Sequence, residues 1–163
     1  MKENETPRFV LSQWISTDAV VLPLRGKQRD EVLLELVERI PEIARQPAAQ
    51  QILFRALQER ESLCSTGIGD GIALPHARNA LVGLVDHPVI VFGRHETGIP
   101  FGAVDGGPAK LFFLLVAPTV SQHLQILARL SRMLRDPKLR QDLLKADRSE
   151  KVIALVREAE TTM

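Results

Sequence analysis

The chain has 163 residues, enough for one domain with a full hydrophobic core and too few for a large multidomain enzyme. Its 21 Lys and Arg against 20 Asp and Glu leave a net charge of +1, which excludes a nucleic-acid binder that works through a broad basic surface. Aromatic residues are only 4%, with no Tyr, so bases and sugar rings, usually gripped by aromatic faces, are poor candidates for the main ligand.

Residues 1–9 are polar and mixed in charge, without the basic-then-apolar order of a signal peptide. A short apolar start, Phe9 to Ile15, leads to Ala19 to Leu24, whose β-branched residues predict a strand. Gln28 to Ile43 carries Val32, Leu33, Leu36, Val37 and Ile40 at helical spacing and predicts an amphipathic helix, interrupted late by Pro41. Pro47 stands where a second helix can start, and Ile52, Leu53, Ala56 and Leu57 continue it toward Arg60. Ser62 to Asp70 reads as loop, and Ile72 to Leu74 and Pro88 to Phe92 as strands. Gly98 to Pro108 is a second loop. Leu111 to Val116 is continuously apolar and predicts a central strand buried on both faces.

The last third is helical. Ser121 is a candidate cap for a helix through Leu124, Leu127, Leu130 and Leu134. Asp136-Pro137 restarts the chain into a helix through Leu144, and Ser149-Glu150 opens the last one. Strands and helices alternate and then helices finish, which predicts an α/β fold: a mixed central sheet with helices on both faces, one domain over residues 1–163. The longest apolar run, Leu111 to Ala117, is far shorter than the about 20 residues that span a bilayer, so no membrane insertion is expected. The single cysteine, Cys64, excludes an intrachain disulfide, and the cytoplasm is the expected location.

The chemistry lies in R-E-S-L-C-S-T-G-I-G-D-G-I-A-L-P-H-A-R, Arg60 to Arg78. Gly67, Gly69 and Gly71 alternate in a loop whose backbone N–H groups can turn inward around an anion. Ser65 and Thr66 either add hydroxyl donors to it or brace the loop through local hydrogen bonds. Pro75 stiffens the chain before His76, an imidazole that is largely neutral and nucleophilic near neutral pH, or else a structural residue of a Pro-containing turn. Neutral imidazole beside an anion cradle suits attack on a phosphoryl group.

Other readings of the loop fail. No Gly-Lys-Ser/Thr follows, so it is not a Walker A loop, and the Gly spacing is not the dinucleotide fingerprint. A cysteine-phosphatase cradle would need Arg where Asp70 stands, and G-x-S-x-G is absent. A metal site from His76, His87, His95 and Glu96 matches no common ligand spacing, so neither metal nor cofactor is expected. Cys64 reads as a small buried residue or, less simply, as a reactive thiol.

S-T-G-I-G-D-G-I-A-L-P-H, Ser65 to His76, resembles the active-site motif of the fructose/mannitol-type enzyme IIA of the bacterial phosphoenolpyruvate-dependent phosphotransferase system, a family that includes the nitrogen-regulatory enzymes IIA. Arg60-Glu61, Ile99-Pro100-Phe101 with Asp105, the apolar strand Leu111 to Pro118, and His123-Leu124 extend the resemblance over about the whole chain. The resemblance implies an α/β sandwich in which His76 accepts a phosphoryl group through Nε2 from a phosphohistidine of HPr or its nitrogen-branch counterpart. It implies that Arg60 and His123 lie near that group, and Ser65, Thr66, Gly67 and Gly69 of the loop are the candidate phosphate-binding residues. The acceptor would be a IIB domain; alternatively the phosphate is a regulatory mark read by target proteins. A third possibility is a descendant that is not phosphorylated and binds a small metabolite or metal in the same cleft. Family members commonly have Gly where this chain has Cys64, a departure that bears on the loop geometry.

Overall fold

A computed structural model describes residues 10–78 and 83–163. The polar segment 1–9, with Phe9 of the first apolar stretch, lies outside the described residues. Five strands form one mixed sheet in the order β1-β4-β5-β3-β2: β1 (Val20–Val21), β2 (Gly67–Gly69), β3 (Ile72–Ala73), β4 (Val89–Ile99) and β5 (Ala109–Val116). β1 runs parallel to β4 and β3 parallel to β5, whereas β4–β5 and β2–β3 are antiparallel.

The continuously apolar run is central, third of five strands, because both of its faces are covered. Leu111, Phe113 and Leu115 face one core, Phe112, Leu114 and Val116 the other, as the two-residue period of a strand requires. The first core is closed by α3 (Val120–Met133), α4 (Pro137–Lys145) and α5 (Ser149–Thr161), through Ile126, Leu130, Leu139, Leu143 and Val152. The second is closed by α1 (Arg29–Glu38) and α2 (Pro47–Leu63), through Val32, Leu33, Leu36, Leu53 and Leu57. The expected α/β architecture, a mixed sheet between helices, is therefore the observed one. Among the described residues, no helix is long and apolar enough to cross a membrane.

Several boundaries differ from the sequence reading. β1 is two residues long because Pro23 has no N–H to continue a ladder. α1 stops at Glu38 instead of Ile43: Pro41 forces Ile40 into an extended conformation (φ −77°, ψ 111°), and Pro41–Ile43 is a separate 3-10 turn. α2 runs three residues past Arg60, and the segment expected to be loop contains β2. β4 continues to Ile99, with a register shift between Arg94 and Ile99. The cap of α3 is Thr119, whose hydroxyl accepts the Gln122 N–H at 3.2 Å; Ser121 already lies inside the helix. Asp136 caps α4 as expected, accepting from the Lys138 N–H at 3.0 Å.

Candidate functional site

His76 follows β3 and forms a one-residue parallel bridge with Leu115, near the carboxyl end of β5. The chain leaves β5, passes Pro118 and enters α3, so His123, in the first turn of α3, lies at the same end of the sheet. Ligand sites of open α/β sheets collect outside the carboxyl ends of parallel strands, where loops and helix amino termini converge. The two rings meet edge to face, with centroids 5.2 Å apart and planes at 61°.

The surroundings of the His76 ring decide its chemistry. Nδ1 lies 2.6 Å from the Leu74 carbonyl oxygen, which can only accept, so Nδ1 carries the proton and the neutral ring keeps its lone pair on Nε2. Burial lowers the proton affinity of His76 below that of an ordinary histidine; the Leu74 hydrogen bond opposes this and the Arg60 charge adds to it. His123 is buried and is also pushed down, by desolvation and then by the charge of His76. Neither ring is hydrogen-bonded to a carboxylate among the described residues, so both are neutral at neutral pH. Arg60, in the last turn of α2, donates to the Cys64 carbonyl at the end of its helix.

Two backbone amides of the glycine loop, those of Thr66 and Asp70, are bonded to the protein's own carboxylates. The Thr66 N–H donates to Glu61 Oε2 at 3.0 Å and the Thr66 hydroxyl to Glu61 Oε1. The Asp70 N–H donates to Asp105 Oδ2 at 3.0 Å, and the Gly107 N–H to Asp105 Oδ1 at 3.0 Å, so Asp105 ties the 100–108 loop to the β2–β3 hairpin. These amides hold the Asp105 carboxyl below the usual carboxylate range. The Ser65 hydroxyl donates to the Phe101 carbonyl and accepts the Gly67 N–H at 2.9 Å. Gly67 is buried, and a Cβ there would approach Ala103 Cβ and Ser65 Oγ to 3.1 Å. Gly69 has φ +90°, and a Cβ there would lie 3.1 Å from Asp105 Oδ2, beside a carboxylate.

The fold thus brings His76 and His123 into contact and places Arg60 close enough for its charge to act on His76. The Ser65 hydroxyl is engaged with Phe101 of the 100–108 loop, both Thr66 donors with Glu61 of α2, and the Gly67 N–H with Ser65. Cys64 is exposed, not buried as the sequence suggested, because it ends α2 in an extended conformation at the surface. Glu61 and Asp105 received no chemical role in the sequence reading. Glu61 had a legible signal: it continues the Leu53–Leu57 stripe, a carboxylate on the buried face of its helix. His95 is fixed in the sheet, with Nε2 at 2.8 Å from the Gly26 carbonyl and Nδ1 accepting the Gly98 N–H at 2.9 Å.

Residues 13–159 match the family described as the phosphoenolpyruvate-dependent sugar phosphotransferase system, EIIA 2. A relative is the fructose-specific EIIABC component of Bacillus subtilis, 33% identical over 90% of this chain, which spans only 23% of that longer protein. Among solved structures, the nitrogen regulatory protein IIA-Ntr of Neisseria meningitidis is 27% identical, with a TM-score of 0.80 over 91% of this chain and 99% of its own. Enzyme IIA-Mtl of Escherichia coli, solved in complex with phosphorylated enzyme IIB-Mtl, is 20% identical and shares the fold, with a TM-score of 0.74 over 88% of this chain and 96% of its own. The chain belongs to the EIIA 2 family.

Proposed function

We propose that this member of the EIIA 2 family carries a phosphoryl group on His76 Nε2, taken from an HPr-type phosphohistidine in the cytoplasm. The observation that carries the reading is the His76 ring itself. Its Nδ1–H is held by the Leu74 carbonyl and its Nε2 lone pair is left for attack beside His123. Nε2 forms a bond to phosphorus as the bond from phosphorus to the donor's ring nitrogen breaks, and that nitrogen leaves with the electron pair. The His76 ring then shares a positive charge between its nitrogens, steadied by the Nδ1–H bond to Leu74.

His123 and Arg60 face the incoming negative charge. His123 stands at the amino-terminal turn of a 14-residue helix, where the dipole favours anions. The Arg60 guanidinium offers paired donors for phosphate oxygens once it swings from the Cys64 carbonyl. Ser65, Thr66, Gly67 and Gly69 act as the frame of the site: their hydrogen bonds and close contacts set the hairpin that ends at His76. Leu63, Ile68, Val120 and Leu124, near Arg60, the hairpin and His123 in sequence, are exposed, which suits docking of a protein donor and acceptor.

The acceptor in this reading is a IIB domain, consistent with the EIIABC relative and with the IIA–IIB complex of the shared fold. The likeness to a nitrogen regulatory IIA supports a second reading, in which the added dianion switches contact with regulatory targets. Incubation with phosphoenolpyruvate, enzyme I and HPr-type donors should add one acid-labile phosphoryl group, and His76→Ala should abolish it. Undiminished labelling of that variant overturns the carrier. Transfer from the labelled protein to a IIB domain selects the relay, and retention with every IIB domain selects the regulator.

A further inference from the structure

The carrier mechanism uses no part of Glu61, yet this carboxylate is only 6% exposed, on the same helix face as Leu53 and Leu57. Burial pushes its proton affinity up, while hydrogen bonds from Thr66 and the charges of Arg60 and Arg29 act against the rise. A buried carboxylate is costly unless its partners compensate, so what it holds is informative. Both oxygens address one residue: Oε2 accepts the Thr66 N–H at 3.0 Å and Oε1 accepts the Thr66 hydroxyl. The Thr66 carbonyl accepts the Leu74 N–H at 3.0 Å. The Leu74 carbonyl accepts Nδ1–H of His76 at 2.6 Å. An unbroken line of hydrogen bonds and peptide units runs from the end of α2 to the ring that is to be phosphorylated.

The residue types fit this line. An ionised carboxylate accepts two donors without presenting one of its own; a glutamine of the same length would turn an NH2 group toward one of the Thr66 donors. Successive helix positions point about 100° apart, so Arg60-Glu61 sends one charge outward and the other beneath the loop. The Ser65 bridge to Phe101 holds the loop on its other side, so Thr66 is fixed from two directions.

We propose that Glu61 is a positioning residue for phosphoryl transfer: through Thr66 and Leu74 it places the carbonyl that fixes the His76 tautomer and aims Nε2 outward. The proposal rests on the carrier reading above. Its test is Glu61→Gln, with Thr66→Val as a second variant, measured by phosphoryl transfer from a phospho-HPr donor and by side-chain 15N shifts of His76. The expected result is a rate at saturating donor lower by roughly tenfold to a hundredfold, since small misplacements of a reacting group reach that size. The KM for the donor should stay unchanged, and the His76 nitrogen shifts should move from the Nδ1–H tautomer toward a mixture. Folded variants with wild-type rate and wild-type His76 shifts overturn the proposal. Should Glu61→Gln not fold, Thr66→Val, which keeps the backbone N–H, decides by the same two readouts. If the wild-type protein accepts no phosphoryl group, the carrier reading falls and the nitrogen shifts judge Glu61 alone: movement upholds the link, and none overturns it.

Discussion

Two histidine sites in this protein have opposite surroundings. His76 and His123 pair with each other, away from hydrogen-bonding carboxylates, and burial lowers the proton affinity of both. His87 is more exposed, hydrogen-bonded to Glu42 at 3.0 Å and to Asp86, and stacked on Trp14 with ring centroids 5.8 Å apart. Its proton affinity is raised, first by the bond to Glu42, against a smaller opposing effect of burial. With carboxylates on both ring nitrogens, His87 is drawn toward the charged form, which has no lone pair for attack. His76 has a carbonyl on Nδ1, and its Nε2 has no hydrogen-bond partner among the described residues. The same side chain is a surface clasp in one place and, on the carrier reading, a nucleophile in the other, and the groups packed around each ring set the difference.

The contrast can be broken most sharply by substituting the two residues in parallel. His76→Ala should lose all phosphoryl acceptance, whereas His87→Ala should be labelled at the wild-type rate. Equal labelling of the two would dissolve the distinction. Next in size, His123→Ala and Arg60→Ala should each slow transfer, His123→Ala by roughly a hundredfold, as removal of one pre-positioned donor does. Circular dichroism should show both variants folded, and normal transfer rates in both would remove them from the site.

Stability against pH should sharpen the comparison further. His76 and His123 bind protons more weakly when folded, so their contribution is complete above about pH 6.5 and is lost as pH falls through their lowered folded values. Denaturant midpoints should drop on acidification below that pH, and His76→Gln with His123→Gln should flatten the drop. His87 has the opposite sign: its contribution is complete below about pH 6.5 and is lost as pH rises through its raised folded value. His87→Gln should therefore cost stability at pH 6 and little at pH 8. This is the smallest effect, about 1 kcal/mol or less, because the pair is solvent-exposed. A loss that grows with pH would contradict the clasp.

The local parts of this protein were legible in its sequence. The stripe from Val32 to Ile40 announced α1, Pro47 began α2, and the continuous apolar run Leu111 to Val116 announced a strand buried on both faces. Short-range rules act within a turn or two of chain, so they survive without the fold. His76 and the order of residues before it carried the family likeness for the same reason: the motif is contiguous. Long-range pairing was not legible. β2 is a three-residue glycine-rich edge strand with no alternation to reveal it, and β4 outran its apolar half because β5 supplies partners as far as Ile99. Glycine spacing suggested a loop whose amides can turn toward an anion; which carboxylates the Thr66 and Asp70 amides meet, Glu61 and Asp105, was not legible. Asp105 reaches that loop from 35 residues away along the chain. The approach of His123 to His76 likewise depends on β5 lying beside β3. Sequence alone determined the family motif that ends at His76, most of the helices and the central strand, because each is written in neighbouring residues. Tertiary structure decided which groups surround His76, because proton affinity and tautomer depend on atoms that only folding brings together.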